Sequence, residues 1–559
     1  MTEPADLLFT NGPVFDPGTA SSRPDSVAVR GGVIVARGEE ARALAGPGTQ
    51  EVDLRGGLLI PGFQDAHLHA VFGGLELGQC DLTSITDQHA LLDRIAAYAA
   101  ENPRAPWITG AGWSLESFPG GLPTAAQLDQ VVADRPVLLH NRDHHGAWVN
   151  SRALDLAGIT AATPDPADGR IERDARGNPT GMLQEGAIAL VGRLVPELRR
   201  DDLDVALLRA QRLLHSLGVT AWQDALVGSA MGMADNYEVY RDAAASGTLT
   251  ARVRGALWWD RERGAEQIEE LLRRREHGLI GRFDPGSVKI MQDGIIENRT
   301  AALLDPYLNP DGTPTSGGGC ACNGGSAAER GLSFVDPDLL RDYVTRLDRH
   351  GFQVHFHALG DRAVREALDA LQAAQAANGA SGHRHHLAHL QVVHPDDVPR
   401  FKPLGAVANI QPLWAAHEPQ MDTLAIPILG AARARWQYPF GDLLRSGATL
   451  AAGSDWPVSS ADPILGIHTA VNRALPGADG EPFLPEQRLT LAEALTAYTA
   501  GTAWINHRDD TGALRVGSQA DLVVLDRDPF AAPAEHIHET RVRATFVAGH
   551  EVFSRCRAE

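Results

Sequence analysis

Two histidines one residue apart, His67 and His69 in PGFQDAHLHA, are the sharpest local signal in the chain. Successive strand side chains alternate faces, so these imidazoles point the same way and can grip one metal ion. An H-x-H pair alone is weak, because histidine pairs on strands are often structural. Later residues strengthen it, each ending a short apolar run: His357 in FQVHFH, His389 in HHLAHLQ and Asp455 after ATLAAGS. His355 shares a face with His357 but lies one step deeper, which favours His357 as ligand and His355 as a packed or supporting residue. Asp455 has a plain alternative role, capping the next turn.

Lys289, inside SVKIM, is the most informative single residue. A buried ammonium is costly and cannot ligate a cation. It must be paired, neutral or chemically changed. Addition of carbon dioxide to the neutral amine gives a carbamate, an anionic oxygen ligand able to bridge two metals. Pairing with Asp293 or Asp224 is the alternative. Histidine and carboxylate ligands suit one or two ions of Zn²⁺ or a similar divalent metal. The chemistry implied is hydrolysis, since such an ion lowers the pKa of bound water from 15.7 to about 7.

These residues need a frame that gathers strand ends. Eight candidate strands cover residues 63–69, 218–225, 251–259, 286–294, 352–361, 385–391, 405–410 and 448–456, with helix-like segments between several of them. Eight β/α alternations predict an α/β fold, a TIM-type (β/α)8 barrel, whose active site lies at the C-terminal strand ends. The stretch at 72–200 is too long for a barrel loop and reads as an insertion after barrel strand 1 that also takes VLLH at 137–140. Residues 1–60 and 506–559 share short strands and glycine turns, which predicts one β-sandwich built from both chain ends, with the barrel over 61–505.

The chain has 559 residues, enough for one large unit plus a smaller one. Lys and Arg total 50 against 71 Asp and Glu, a net charge of −21. That balance disfavours nucleic acid as a partner. No apolar run is long enough to span a bilayer, and the acidic N-terminus does not read as a secretory signal. Four cysteines, Cys80, Cys320, Cys322 and Cys556, are too few for a disulfide framework and suit a reducing cytoplasm. The Cys320/Cys322 pair in TSGGGCACNGGS reads as a surface loop. The expected partner is a small molecule, and a homodimer is compatible with the sequence.

The ordered set PGFQDAHLH, LPTAAQLDQVVADRPVLLHNRDHHGAWVNSRALDLAGI, GNPTGMLQE, VKIMQDG, TAALLDPY, HFHALGDRAV, NIQPLW, AAGSDWPV and GTAWINHRDDTGALRVGSQADLVVLDRDPF resembles the amidohydrolase superfamily. It is most similar to its YtcJ-like branch, which includes N-substituted formamide deformylases. The resemblance implies that His67, His69, His357 and His389 are metal ligands and Lys289 a carboxylated bridge. It implies that Asp455 both ligates and moves protons, and that Trp113, His145 and Trp414 line the substrate pocket. The family usually has Glu before the strand-6 histidine; here that position is Ala388. The implied activity is cleavage of a non-peptide, amide-type carbon–nitrogen bond. A deaminase, a cyclic amidase and a catalytically silent regulatory protein are the rivals on the same scaffold, and the intact metal set argues against the silent one.

Overall fold

The computed structural model describes residues 3–83, 85–196, 198–230, 233–315 and 329–555. Cys320, Cys322 and Cys556 lie outside the described residues.

Eight parallel strands form the central sheet: Phe63–Leu68, Val219–Val227, Arg252–Trp258, Phe283–Met291, Gln353–Ala358, His386–His389, Val407–Ile410 and Thr449–Ala452, neighbouring one another in chain order. All eight expected strands are there, in a TIM-type arrangement. Most of their residues are buried, as expected where helices cover a parallel sheet. The helix Pro337–Arg349 shows how the sequence builds the outer layer. Asp336 caps it, accepting from the backbone N–H groups of Asp338 and Leu339, and Pro337 occupies the first turn. Leu340, Tyr343, Val344 and Leu347 form its buried stripe.

Strand register sets the level of the chemistry. Lys289 sits beside His355, Met291 beside His357, and His355 beside His386. Among the described residues no ladder joins the first and eighth strands. Their junction is closed by other bonds. Asp65 accepts from His67 N at 3.0 Å and from Ser454 N at 3.0 Å. Asp455 N donates to His67 O at 2.7 Å, and His69 N to Trp456 O at 2.8 Å.

Between barrel strands one and two lies a six-stranded sheet, ordered Gly169–Arg173, Pro179–Glu185, Gly146–Val149, Val137–Asn141, Ile108–Trp113 and Cys80–Asp81. VLLH is the start of its fourth strand in that order. A third sheet joins both chain ends. Leu522–Leu525 pairs with Leu59–Pro61, which pairs with Leu7–Asp16. The rings of Phe9 and Phe546 meet edge to face at 5.3 Å although two strands separate theirs, so this sheet curls over its own core.

Candidate active site

The strand ends bring six residues to one buried cluster beside a cavity of about 450 Å³. His67 Nε2 lies 3.3 Å and His69 Nε2 3.1 Å from Asp455 Oδ1. His389 Nδ1 lies 3.8 Å from Asp455 Oδ2, and its ring centroid is 4.5 Å from that of His357. Lys289 Nζ lies 3.5 Å from His67 Nε2. His67, His389 and Asp455 each offer a ligand atom, all within 4.8 Å of one another.

Two of these atoms, His389 Nδ1 and Asp455 Oδ1, are buried without a hydrogen-bond partner. Burying polar atoms unpaired costs about 1–3 kcal/mol each, so their convergence needs a cause. A divalent ion supplies one. Ligands about 2.0–2.2 Å from a tetrahedral ion stand roughly 3.3–3.6 Å apart, which the His67–Asp455 and His69–Asp455 spacings approach. The residues therefore fit a metal.

Electrostatics agree with that fit. Burial, followed by the Lys289 charge, holds His67 well below the ordinary imidazole range. Burial does the same for His357 and His389, with neighbouring histidines next. Neutral imidazoles keep the lone pair a metal needs. Burial pushes Asp455 up, but the close approach of His69 and the charges of His389 and Lys289 bring it below its usual value. Burial lowers Lys289 to about 7, against the pull of Asp455. Neither acid weighed as a partner for Lys289 is free. Asp293 accepts from the N–H groups of Ala302, Leu359 and Gly360 at 2.9–3.0 Å. Asp224 accepts from Ala70 N, Leu226 N and the Tyr240 hydroxyl.

The backbone is strained here. His389 has φ 81°, Leu390 51°, Asp455 55° and Glu185 53°. Left-handed conformations at non-glycine residues cost about 1–3 kcal/mol each and gather at functional sites.

Trp414 stacks on His389 with centroids 5.3 Å apart and planes 10° from parallel. It lines the cavity, as does His145. Trp113 does not join them. It is fully buried in the core of the six-stranded sheet, packed on Phe118 and Trp148, with Nε1 donating to Leu139 O at 2.9 Å. Its size and apolar surroundings make it a packing residue there.

Sequence reasoning missed Glu185, whose Oε2 lies 2.8 Å from His145 Nδ1. Glu185, with Asp143 next, raises His145 to about 9 despite burial, the largest influence, which lowers it. It also missed Asp65 and the polar wall of Arg142, Glu297 and Glu418. Glu185 ends GNPTGMLQE and Asp65 lies within PGFQDAHLH, but nothing in one sequence says which acid supports a site.

The family model described as "Amidohydrolase family" matches residues 50–553. The chain belongs to the amidohydrolase family. It is 32% identical to Protein LONG AFTER FAR-RED 3 of Arabidopsis thaliana, over 98% of this chain and 92% of that protein. YtcJ of Bacillus subtilis is 31% identical, over 95% and 96%. N-substituted formamide deformylase of Arthrobacter pascens is 27% identical, over 98% of each chain. Among solved structures, an uncharacterized metal-dependent hydrolase from Pyrococcus furiosus superposes with a TM-score of 0.68 at 27% identity, covering 94% of this chain and 99% of that one. This amidohydrolase is accordingly a metal-dependent hydrolase. No helix among the described residues is long and apolar enough to cross a membrane.

Proposed function

We propose that this amidohydrolase cleaves an amide-type, non-peptide carbon–nitrogen bond in a small molecule, in the cytoplasm. The observation that carries this reading is the convergence of His67, His69, His389 and Asp455 beside the cavity, with His389 Nδ1 and Asp455 Oδ1 buried and unpartnered. Those residues, with His357 and Lys289, would hold one or two zinc-like ions, Lys289 as a carbamate bridging them. When bound, the metal supplies Lewis-acid chemistry, polarising a carbonyl and acidifying water from a pKa of 15.7 to about 7.

The chain's own groups do the rest. Asp455, which lines the cavity, takes the proton of the attacking water, then releases it to the leaving amine. Asp455 suits this because its neighbours keep it ionised despite burial. Lys289, brought to about 7 by burial, has the neutral amine needed to add carbon dioxide. His145 and Trp414 bound the substrate. Similarity to N-substituted formamide deformylase supports an N-acyl or N-formyl amine as the substrate class.

In domain terms we read residues 72–200 as the insertion. Residues 1–60 with 506–559 form the β-sandwich, supported by the contact of Phe9 with Phe546 across the curled sheet. The test is elemental analysis of the purified protein, then a panel of N-formyl and N-acyl amines, cyclic amides and esters. Metal content near zero, or turnover of esters alone, overturns the reading.

A further inference from the structure

His145 is tightly held in the cavity wall. Its backbone N–H donates to Asp143 Oδ1 at 3.1 Å. Its carbonyl accepts from Glu185 N at 3.0 Å and from Asn298 Nδ2 at 3.2 Å. Its ring Nδ1 meets Glu185 Oε2, and the other Glu185 oxygen accepts from Thr300 Oγ1 at 2.6 Å. Only 8% of the residue is exposed, and that part borders the cavity. With backbone and Nδ1 all engaged, Nε2 is the polar atom left to meet a ligand.

The holder is itself held at a cost. Glu185 sits at φ 53° and ψ −127°, a conformation that disfavours side chains. Space for its carboxylate exists because residue 294 is glycine. A Cβ there would fall 2.4 Å from Glu185 Oε1 and 2.1 Å from Thr300 Oγ1. Strand ends of the six-stranded sheet, a barrel loop and a strained backbone thus combine to aim one imidazole. Its ring centroid lies 5.3 Å from that of His357, one of the residues proposed to hold the metal.

We propose that His145 is a catalytic residue that donates a hydrogen bond from Nε2 to the oxygen of the scissile carbonyl, and that Glu185, held by Thr300, is the positioning residue that aims it. The proposal rests on the hydrolase reading above and deepens it. An imidazole tied through Nδ1–H to a carboxylate is fixed in orientation and presents Nε2 outward. A donor preset toward an oxygen that gains charge stabilises the transition state more than the bound substrate. The six-stranded sheet then contributes chemistry to the barrel and does not merely cover it.

The experiment uses the full, metal-loaded protein with 4-nitroacetanilide as the turnover probe and phenylphosphonate, a tetrahedral anion, as the binding probe. His145→Ala is expected to lower kcat by about 10²–10³, the effect of removing one such donor, with KM and metal content little changed. Phenylphosphonate should bind His145→Ala at least about tenfold more weakly by calorimetry, an arm that needs no turnover. Glu185→Ala should lose kcat, while Glu185→Gln, which keeps an acceptor for Nδ1–H, should recover most of it. If His145→Ala does not fold, His145→Gln and the Glu185 pair carry the comparison. Unchanged kcat and phosphonate affinity in an active, metal-loaded background overturn the role of His145 alone. Loss of metal in His145→Ala overturns it too, by making the residue a ligand. A metal-loaded wild type that neither cleaves the anilide nor binds the phosphonate also overturns it. A wild type without metal or turnover overturns the hydrolase reading instead.

Discussion

His355 Nε2 lies 2.8 Å from His67 Nδ1, so one buried imidazole buttresses another behind the cluster. With His67 offering Nε2 to a metal, its Nδ1 carries the hydrogen and His355 accepts it. Such outer partners typically change metal affinity by about 10–100-fold. His355→Leu is expected to weaken zinc binding by that factor, measured by chelator competition. His355→Gln, which retains an acceptor, should weaken it less. Equal affinity in all three proteins would remove His355 from the support of the site.

Asp455→Asn is expected to fold normally and lower kcat by about 10²-fold or more, because the amide cannot carry the proton. Near-normal turnover in a variant with intact circular dichroism would assign the proton to another group.

Lys289 is brought to about 7 by burial, so its neutral fraction grows as pH rises through that value. Carbamate formation needs the neutral amine. A ¹³C signal from labelled bicarbonate should therefore appear in the wild type, strengthen from pH 6 to 8, and be absent from Lys289→Ala. Lys289→Ala should also lose at least one metal, with partial recovery of activity on adding small carboxylates. A bare lysine in a fully loaded protein would leave a one-metal site as the better description.

Burial lowers His145, but Glu185, with Asp143 next, outweighs it and raises the residue to about 9, above the roughly 6.5 of an unfolded histidine. The sign follows from linkage: a raised folded pKa stabilises the protein fully below about 6.5, and that contribution is lost as pH rises through about 9. The wild-type melting temperature should therefore fall relative to Glu185→Gln between those values. Parallel melting curves would show the pair to be uncharged.

Trp113→Ala removes a fully buried indole and should destabilise by about 3–5 kcal/mol, in the range of large-to-small core changes. Denaturant unfolding measures this. A variant that loses substrate affinity while keeping its stability would return Trp113 to the pocket.

The barrel was readable because its strands are compact, mostly apolar runs, several of them leading into a chemically distinctive residue, as ATLAAGS leads into Asp455. The residues proposed to hold the metal lie in or just after those same strands. What one sequence hides is orientation across long separations. Trp113 and Trp414 are the same residue type, yet one fills the core of the six-stranded sheet and the other stacks on His389. Glu185 gave no period or spacing to read, because its meaning depends on a glycine and a threonine more than a hundred positions later.

The junction sealed by Asp65 and Ser454 joins residues 389 positions apart. During synthesis on the ribosome, His67 and His69 emerge long before Asp455 exists to meet them. The nascent barrel therefore carries an open edge and an incomplete ion trap until nearly its whole length has been made. Premature capture of a metal by the early histidine pair is disfavoured, since two ligands hold an ion far less firmly than the finished set. Assembly of the site thus comes late, and a chain halted before Asp455 lacks both the seal of its barrel and the last of the residues proposed to hold its metal.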